Sequence, residues 1–231
     1  MVNSHDDAGD WASAAERQVL CASLQIAAAR GWTWPTVKAA GKAAGLSEAD
    51  VELLLPHGPK DLAALFSRAH DEQALAALPD PATLKIRERI RAGVEARLDA
   101  AAQDEAALRR WAGFLALPLN LPLALRLLWD SADRLWRWAG DTATDENHYS
   151  KRAILSGVLA SAAAIRLSSG HGAAMAIRLS SGREAAMTFV DARIENVMAF
   201  EKWKAGKDFD APLRKATDVL ARMRYGSRTA A

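Results

Sequence analysis

The stretch LPLALRLLWDSADRLWRW, residues 121–138, repeats apolar side chains at helical spacing. The apolar stripe at offsets 0, 4, 7, 11 and 14 consists of Leu121, Leu125, Leu128, Ala132 and Leu135, with Trp129 and Trp136 beside it. Such offsets keep side chains on one face of an α-helix. The stretch therefore predicts a long helix with one apolar face, ending at Gly140.

The composition extends this expectation to the whole chain. The 231 residues include 51 alanines, against 9 valines and 7 isoleucines. Alanine is the strongest helix former, whereas β-branched residues favour strands. We therefore predict an all-α fold and exclude a β-sandwich or a parallel sheet.

Glycine and proline breaks separate successive helical patterns. The predicted divisions are a flexible amino terminus at 1–12, a helical domain at 13–204 with parts at 13–78 and 83–204, and an amphipathic carboxyl-terminal helix and tail at 207–231. The sequence contains no run of eighteen apolar residues, so we predict no membrane-spanning helix. The first ten residues do not resemble a targeting peptide.

Residues 164–187 contain a tandem repeat, in which AIRLSSGHGAAM is followed by AIRLSSGREAAM. Each copy holds Ser-Ser-Gly, which disfavours helix continuation. Ser181 and Glu184 have the spacing of a capping box. We predict a surface connection here, with 171–179 as an insert and the next helix starting at about Glu184.

Conventional catalytic motifs are absent from the sequence. Asp145 and His148 are three residues apart, but a metal site needs more ligands than this pair. The single cysteine, Cys21, excludes internal disulfides and is expected to be a buried structural thiol. We predict no catalytic residue, no metal and no cofactor.

The first 70 residues resemble the DNA-binding head of the TetR repressor family, with Ala44-Gly45-Leu46-Ser47 as the turn into the recognition helix. That helix carries Glu48, Asp50 and Glu52 and no basic residue. Residues 1–82 also have a net charge of −5. Acidic side chains repel the phosphate backbone, so we predict a helix-turn-helix shape without nucleic-acid binding.

The remaining motifs resemble a family of lipid-binding accessory proteins of ubiquinone synthesis, coenzyme Q biosynthesis protein nine. The resemblance covers roughly 15–204 and rests on Leu115–Asn120, Leu128–Trp136, Ala139-Gly140-Asp141, Asp145–Arg152 and Arg193–Met198. It implies a TetR-like helical bundle, a homodimer, an isoprenoid lipid or quinone intermediate as ligand, and the demethoxyubiquinone hydroxylase as partner. Where the family has Asn-Trp-Tyr, this chain has Asn147-His148-Tyr149.

Two sets of residues are candidates for these roles. An apolar lipid pocket would be lined by Leu115, Leu121, Leu125, Leu128, Trp129, Leu135, Trp136, Ile154, Val158, Val197 and Met198. Ordinary core packing explains the same residues equally well. The resemblance implies an exposed docking surface for the hydroxylase at Asp145, Asn147, His148, Tyr149 and Arg152.

The carboxyl-terminal segment has the pattern of an interfacial membrane helix. Its candidate membrane contacts are Phe209, Leu213, Lys215, Leu220, Arg222 and Met223, and residues 201–231 carry a net charge of +4. Packing of this helix on the body or on a dimer mate is the alternative. The expected site of action is the inner membrane: its cytoplasmic face in a bacterium, or the matrix side in a mitochondrion. A TetR-type regulator binding a small ligand is the alternative function.

Overall fold

A computed structural model of the chain describes residues 4–142, 146–168 and 175–205, and within these ranges it contains helices and no strands. The helices are α1 Ser4–Arg30, α2 Trp34–Ala43, α3 Glu48–Leu54, α4 Pro59–Ala77, α5 Ile86–Ala102, α6 Glu105–Leu115, α7 Leu121–Trp138, α8 Glu146–Ser168 and α9 Met175–Ala205. The all-α prediction is confirmed, and the arrangement is consistent with a TetR-like bundle.

Helices α2 and α3 form the expected helix-turn-helix shape. Gly45 adopts a φ of 75° in the turn, a conformation that favours glycine. Ser47 caps α3: its Oγ accepts a hydrogen bond from the Asp50 backbone N–H at 3.2 Å, and the Asp50 carboxylate accepts one from the Ser47 N–H at 3.1 Å. Ser47 and Asp50 therefore form a capping box at the start of α3.

A core of aromatic and aliphatic side chains joins α1–α4 to α5 and α6. Phe66 lies at its centre, 4.9 Å from the Trp32 ring in an edge-on arrangement. The indole of Trp32 donates to the Ala107 carbonyl and that of Trp111 to the Ala63 carbonyl. Both indole groups therefore stabilise packing of α6 against the helix-turn-helix part.

The first helix differs from its prediction in two respects. It begins at Ser4 rather than at residue 13. Cys21 is exposed, so the expectation of a buried thiol was wrong. The reason is helical phase: Val19 and Ser23, four residues apart, face the core, and the side chain between them points away from it.

A sharp corner separates α6 from α7. Pro118–Asn120 form a single 3₁₀ turn, and the axes on either side are bent by 95°. The proline breaks predicted this corner. No single described helix is long and apolar enough to cross a membrane, and α6 with Pro118–Trp138 reaches the required length and composition only as a bent pair.

The second repeat copy contradicts its prediction. Helix α9 begins at Met175 and passes through Ser181 and Gly182 without a break, so Ser181 does not start it. A Cβ on Gly182 would lie 2.8 Å from the Arg166 carbonyl oxygen, so glycine permits close approach to α8. This packing offsets the weak helix propensity of Ser-Ser-Gly. Of the proposed insert, residues 175–179 are helical, and 171–174 lie outside the described residues.

The chain divides into two compact units, Met1–Val190 and Asp191–Ala231. Of the second unit the structure describes the last fifteen residues of α9, 191–205. The proposed membrane helix at 207–231 lies outside the described residues and stays a prediction.

Candidate functional site

The predicted apolar stripe of α7 is split by the fold. Ala132 and Leu135 are buried, whereas Leu125 is 60% exposed and Leu121 is similarly open to solvent. Helices α4 and α8 cover the face formed by Leu127, Ser131, Ala132 and Leu135. The predicted helical periodicity is confirmed, and the first turns of α7 stay largely uncovered.

The other predicted lipid contacts are similarly divided. Leu115 and Val158 are core residues, Ile154 is exposed, and Leu128, Trp129 and Trp136 are half-buried. Val197 belongs to the second compact unit, and the side chain of Met198 lies outside the described residues. Within the first unit, the predicted lipid contacts therefore include buried, half-buried and exposed side chains, and the pocket stays a prediction.

An exposed apolar strip runs along α7 to the start of α8. We call the set Leu121, Leu125, Trp129 and Tyr149 the α7–α8 strip. Leu121, Leu125 and Trp129 are successive i, i+4 neighbours on one helix. The Trp129 and Tyr149 ring centroids are 6.1 Å apart, which joins the two helices. Tyr149 is 64% exposed, so the strip ends at an accessible aromatic side chain.

The predicted docking residues do not form one surface. Tyr149 is exposed and His148 is half-buried, with their rings 5.1 Å apart. Asp145 and the side chain of Asn147 lie outside the described residues. Arg152 is only 1% exposed, so its assignment to an exposed surface was wrong.

Arg152 is buried because two carboxylates hold its guanidinium. Its Nε donates to Asp133 at 2.6 Å, and its Nη1 donates to Asp141 at 2.9 Å. Lys151 donates to the other oxygen of Asp141 at 2.7 Å. Burial alone would raise the pKa of Asp141, but these hydrogen bonds outweigh burial and lower it.

This charge cluster gives Arg152 a positioning role. Its ion pairs join α8 to the end of α7, three residues after Tyr149. Sequence reasoning missed Asp133 and Asp141 as its partners. Nineteen residues separate Arg152 from Asp133, so no local spacing marks the pair.

A separate cavity of about 240 Å³ lies between α4 and α7. It is lined by Ala64, Ser67, Arg68, Asp71, Arg126, Leu127, Asp130 and Arg134. Asp71 is buried in its wall and accepts hydrogen bonds from Arg97 and Ser131. The polar lining does not suit an isoprenoid tail.

The helix-turn-helix part has an acidic outer side. Glu48 and Glu52 are exposed on α3, and Asp50 is occupied by the capping box. Leu53 is 74% exposed beside them. Among the described residues no group of three or more His, Cys, Asp or Glu could hold a metal ion.

Known proteins are similar to this chain in the region that contains the α7–α8 strip. A model of the COQ9 family matches residues 121–201. This part of the chain is therefore similar to the COQ9 family. The family match begins at the first residue of α7 and excludes the helix-turn-helix part.

Three curated COQ9 relatives illustrate the similarity. Ubiquinone biosynthesis protein COQ9, mitochondrial, of Bos taurus is 31% identical over 62% of this chain and 47% of its own length. The Homo sapiens protein of that name is 28% identical over 62% and 48%. Ubiquinone biosynthesis protein COQ9-B of Xenopus laevis is 26% identical over 66% and 55%. This chain thus spans about half the length of these COQ9 relatives.

Proposed function

We propose that this protein is a lipid-binding accessory protein of ubiquinone biosynthesis. It binds an isoprenoid lipid or quinone intermediate and presents it to the demethoxyubiquinone hydroxylase. The observation that carries the proposal is the exposed α7–α8 strip inside the COQ9-matching residues 121–201. Contiguous exposed apolar side chains mark sites for apolar ligands or partners.

The residues of the α7–α8 strip are suited to holding and presenting a lipid rather than to catalysing a reaction. Leucine and tryptophan side chains supply apolar contact for an isoprenoid chain, and Tyr149 supplies an aromatic face with a polar tip. Arg152 donates to the backbone carbonyl of His148, next to this tyrosine, and its ion pairs with Asp133 and Asp141 join α8 to the end of α7. In this proposal the hydroxylase partner carries out the hydroxylation, and the accessory protein binds the lipid and positions it.

We place this role at an inner membrane, where a homodimer would exchange lipid with the bilayer. The names of the relatives support a mitochondrial location. Within the mitochondrion, our proposal places the protein at the matrix side of the inner membrane. The cytoplasmic face of a bacterial membrane is the alternative site.

Lipid binding is tested by mass spectrometry of organic extracts from the purified protein. We expect an isoprenoid lipid or quinone, and we expect Leu125→Glu to reduce its amount severalfold, because a carboxylate in an apolar contact is costly. Leu53→Glu is the matched control, since Leu53 is an exposed leucine on α3. Equal lipid in both folded variants would contradict this use of the strip.

Partner docking is tested by pull-down of the hydroxylase. We expect Tyr149→Ala to weaken capture, because aromatic side chains dominate protein contacts. Trp11→Ala removes an exposed aromatic residue from α1 and is the control. Capture unaffected by Tyr149→Ala would place the partner elsewhere.

A TetR-type regulator binding a small ligand is the second candidate. The helix-turn-helix shape favours it, but the exposed Glu48 and Glu52 oppose contact with phosphates. A polar metabolite in the extract, together with retention on DNA, would support the regulator instead.

A further inference from the structure

The corner between α6 and α7 exposes four leucines within nine residues. We call Leu117, Leu119, Leu121 and Leu125 the apolar corner. Leu119 is 87% exposed and the other three are all more than half exposed. Single exposed leucines are ordinary on a protein surface, but four exposed leucines in one corner form an apolar patch. Such patches mark sites that bind a partner or a membrane.

The fold holds these leucines outward. Asn120, in the middle of the segment, is buried instead. Its side-chain amide donates to the Phe114 carbonyl at 2.9 Å, and its backbone N–H donates to the Leu117 carbonyl at 2.8 Å. Inward movement of the leucines would break these hydrogen bonds, at the cost of leaving buried polar groups unpaired.

The charged residues between Glu105 and Asp130 are all arginines. Residues 106–129 contain three arginines and no aspartate or glutamate. Arg109 is paired with Glu105, but Arg110 and Arg126 are exposed and make no ion pair within the part of the chain that the structure describes. Arg126 lies about 8 Å along α7 from Leu121, at 1.5 Å per residue, and Arg110 lies on α6, which ends two residues before Leu117.

We propose that the apolar corner inserts into an anionic membrane surface, an inference that rests on the lipid-handling role above. The leucine side chains would reach the boundary between headgroups and acyl chains, and Arg110 and Arg126 would contact the anionic headgroups. Together they would form an interfacial anchor. Helix α7 then leads from the bilayer along Leu125 and Trp129 to Tyr149. The corner would thus open the route by which a lipid enters the α7–α8 strip.

The experiment places a fluorescent label on the corner of the full chain. Cys21 is the only cysteine, so Cys21→Ser with Leu119→Cys gives one labelling site. The label is nitrobenzoxadiazole, and the vesicles contain phosphatidylcholine with or without phosphatidylglycerol and a quencher on the acyl chains. The matched control is the same label at Leu53→Cys, an exposed leucine on the acidic helix α3.

We expect quenching and a blue shift at position 119 with anionic vesicles and neither at position 53. We also expect Leu119→Glu to weaken vesicle binding about tenfold and Leu53→Glu to leave it unchanged. No vesicle binding, or binding without quenching at position 119, would overturn the proposal. A blue shift that grows with protein concentration in the absence of vesicles would also overturn it, because the corner would then contact a second copy.

The lipid extract separates this result from the proposed function. Co-purifying isoprenoid lipid without quenching at position 119 rejects the corner alone. Quenching at position 119 without any co-purifying lipid rejects the lipid-binding role and leaves the corner as a membrane anchor.

Discussion

Gly182 packs so closely on Arg166 that a Cβ at residue 182 would lie 2.8 Å from the Arg166 carbonyl oxygen. The two residues belong to different copies of the tandem repeat, Arg166 to the first and Gly182 to the second. The second copy therefore packs against the helix that carries the first, and neither Arg166 nor Gly182 belongs to a dispensable surface connection.

We expect Gly182→Ala to lower the free energy of unfolding by about 1–3 kcal/mol, because backbone atoms must move to admit the methyl group. The control is Gly157→Ala on α8, where a Cβ meets nothing within 4 Å. That change should stabilise the helix by about 0.5–1 kcal/mol. Urea unfolding of both variants measures the difference, and equal stabilities would contradict the close packing.

The two repeat copies differ at the position of Arg183, which forms ion pairs in the second copy. Arg183 donates to Asp99 at 3.1 Å and to Glu95 at 2.5 Å, and the corresponding residue of the first copy is His171. We expect Arg183→His to destabilise the protein by less than about 1 kcal/mol, since the pairs are exposed. The loss should shrink in high salt, and a loss independent of salt would argue against an ionic origin.

Arg152→Ala should be destabilising, by about 2–4 kcal/mol, because it removes a buried guanidinium and its hydrogen bonds to Asp133 and Asp141. Arg137 and Lys151 still pair with these two carboxylates in the variant. Arg137→Ala is the control, since Arg137 also pairs with Asp133 but is largely exposed. That control should cost at most about 1 kcal/mol. The thermal unfolding midpoints of the two variants measure the difference. Similar midpoints would show that the burial of Arg152 does not increase its contribution to stability.

Asp141 should contribute an acid-sensitive part of stability. Its pKa is lowered from the usual 3.8, so the ionised form is favoured in the folded state. The contribution is complete above pH 3.8 and is lost as pH falls through the lowered pKa. Asp141→Asn should therefore be less stable than wild type at neutral pH, with the gap narrowing in acid. Glu52→Gln on the exposed side of α3 is the control, and a constant gap for Asp141→Asn would refute the linkage.

The protein should not bind DNA. The exposed acids of α3 and the charge of −5 on residues 1–82 repel phosphates. A gel shift at low salt tests this expectation. Micromolar retention of the unmodified protein would contradict this expectation, whereas retention that appears only in the double variant Glu48→Gln with Glu52→Gln would assign the repulsion to α3.

Local sequence signals predicted most of the helices. Helical periodicity, the Ser47 capping box and the prolines of the α6–α7 corner depend on neighbours within a few residues, so the sequence alone carries them. The acidic face of α3 and the family resemblance were equally visible in the order of the residues.

Long-range packing decided the rest. Ser-Ser-Gly reads as a helix breaker, yet contact with Arg166 lets α9 run through it. Arg152 reads as a surface cation, yet Asp133 and Asp141 bury it. The α7 stripe reads as one apolar face, but only the turns covered by α4 and α8 are buried. Periodicity fixes which residues share a helix face, whereas burial depends on which distant helix covers that face.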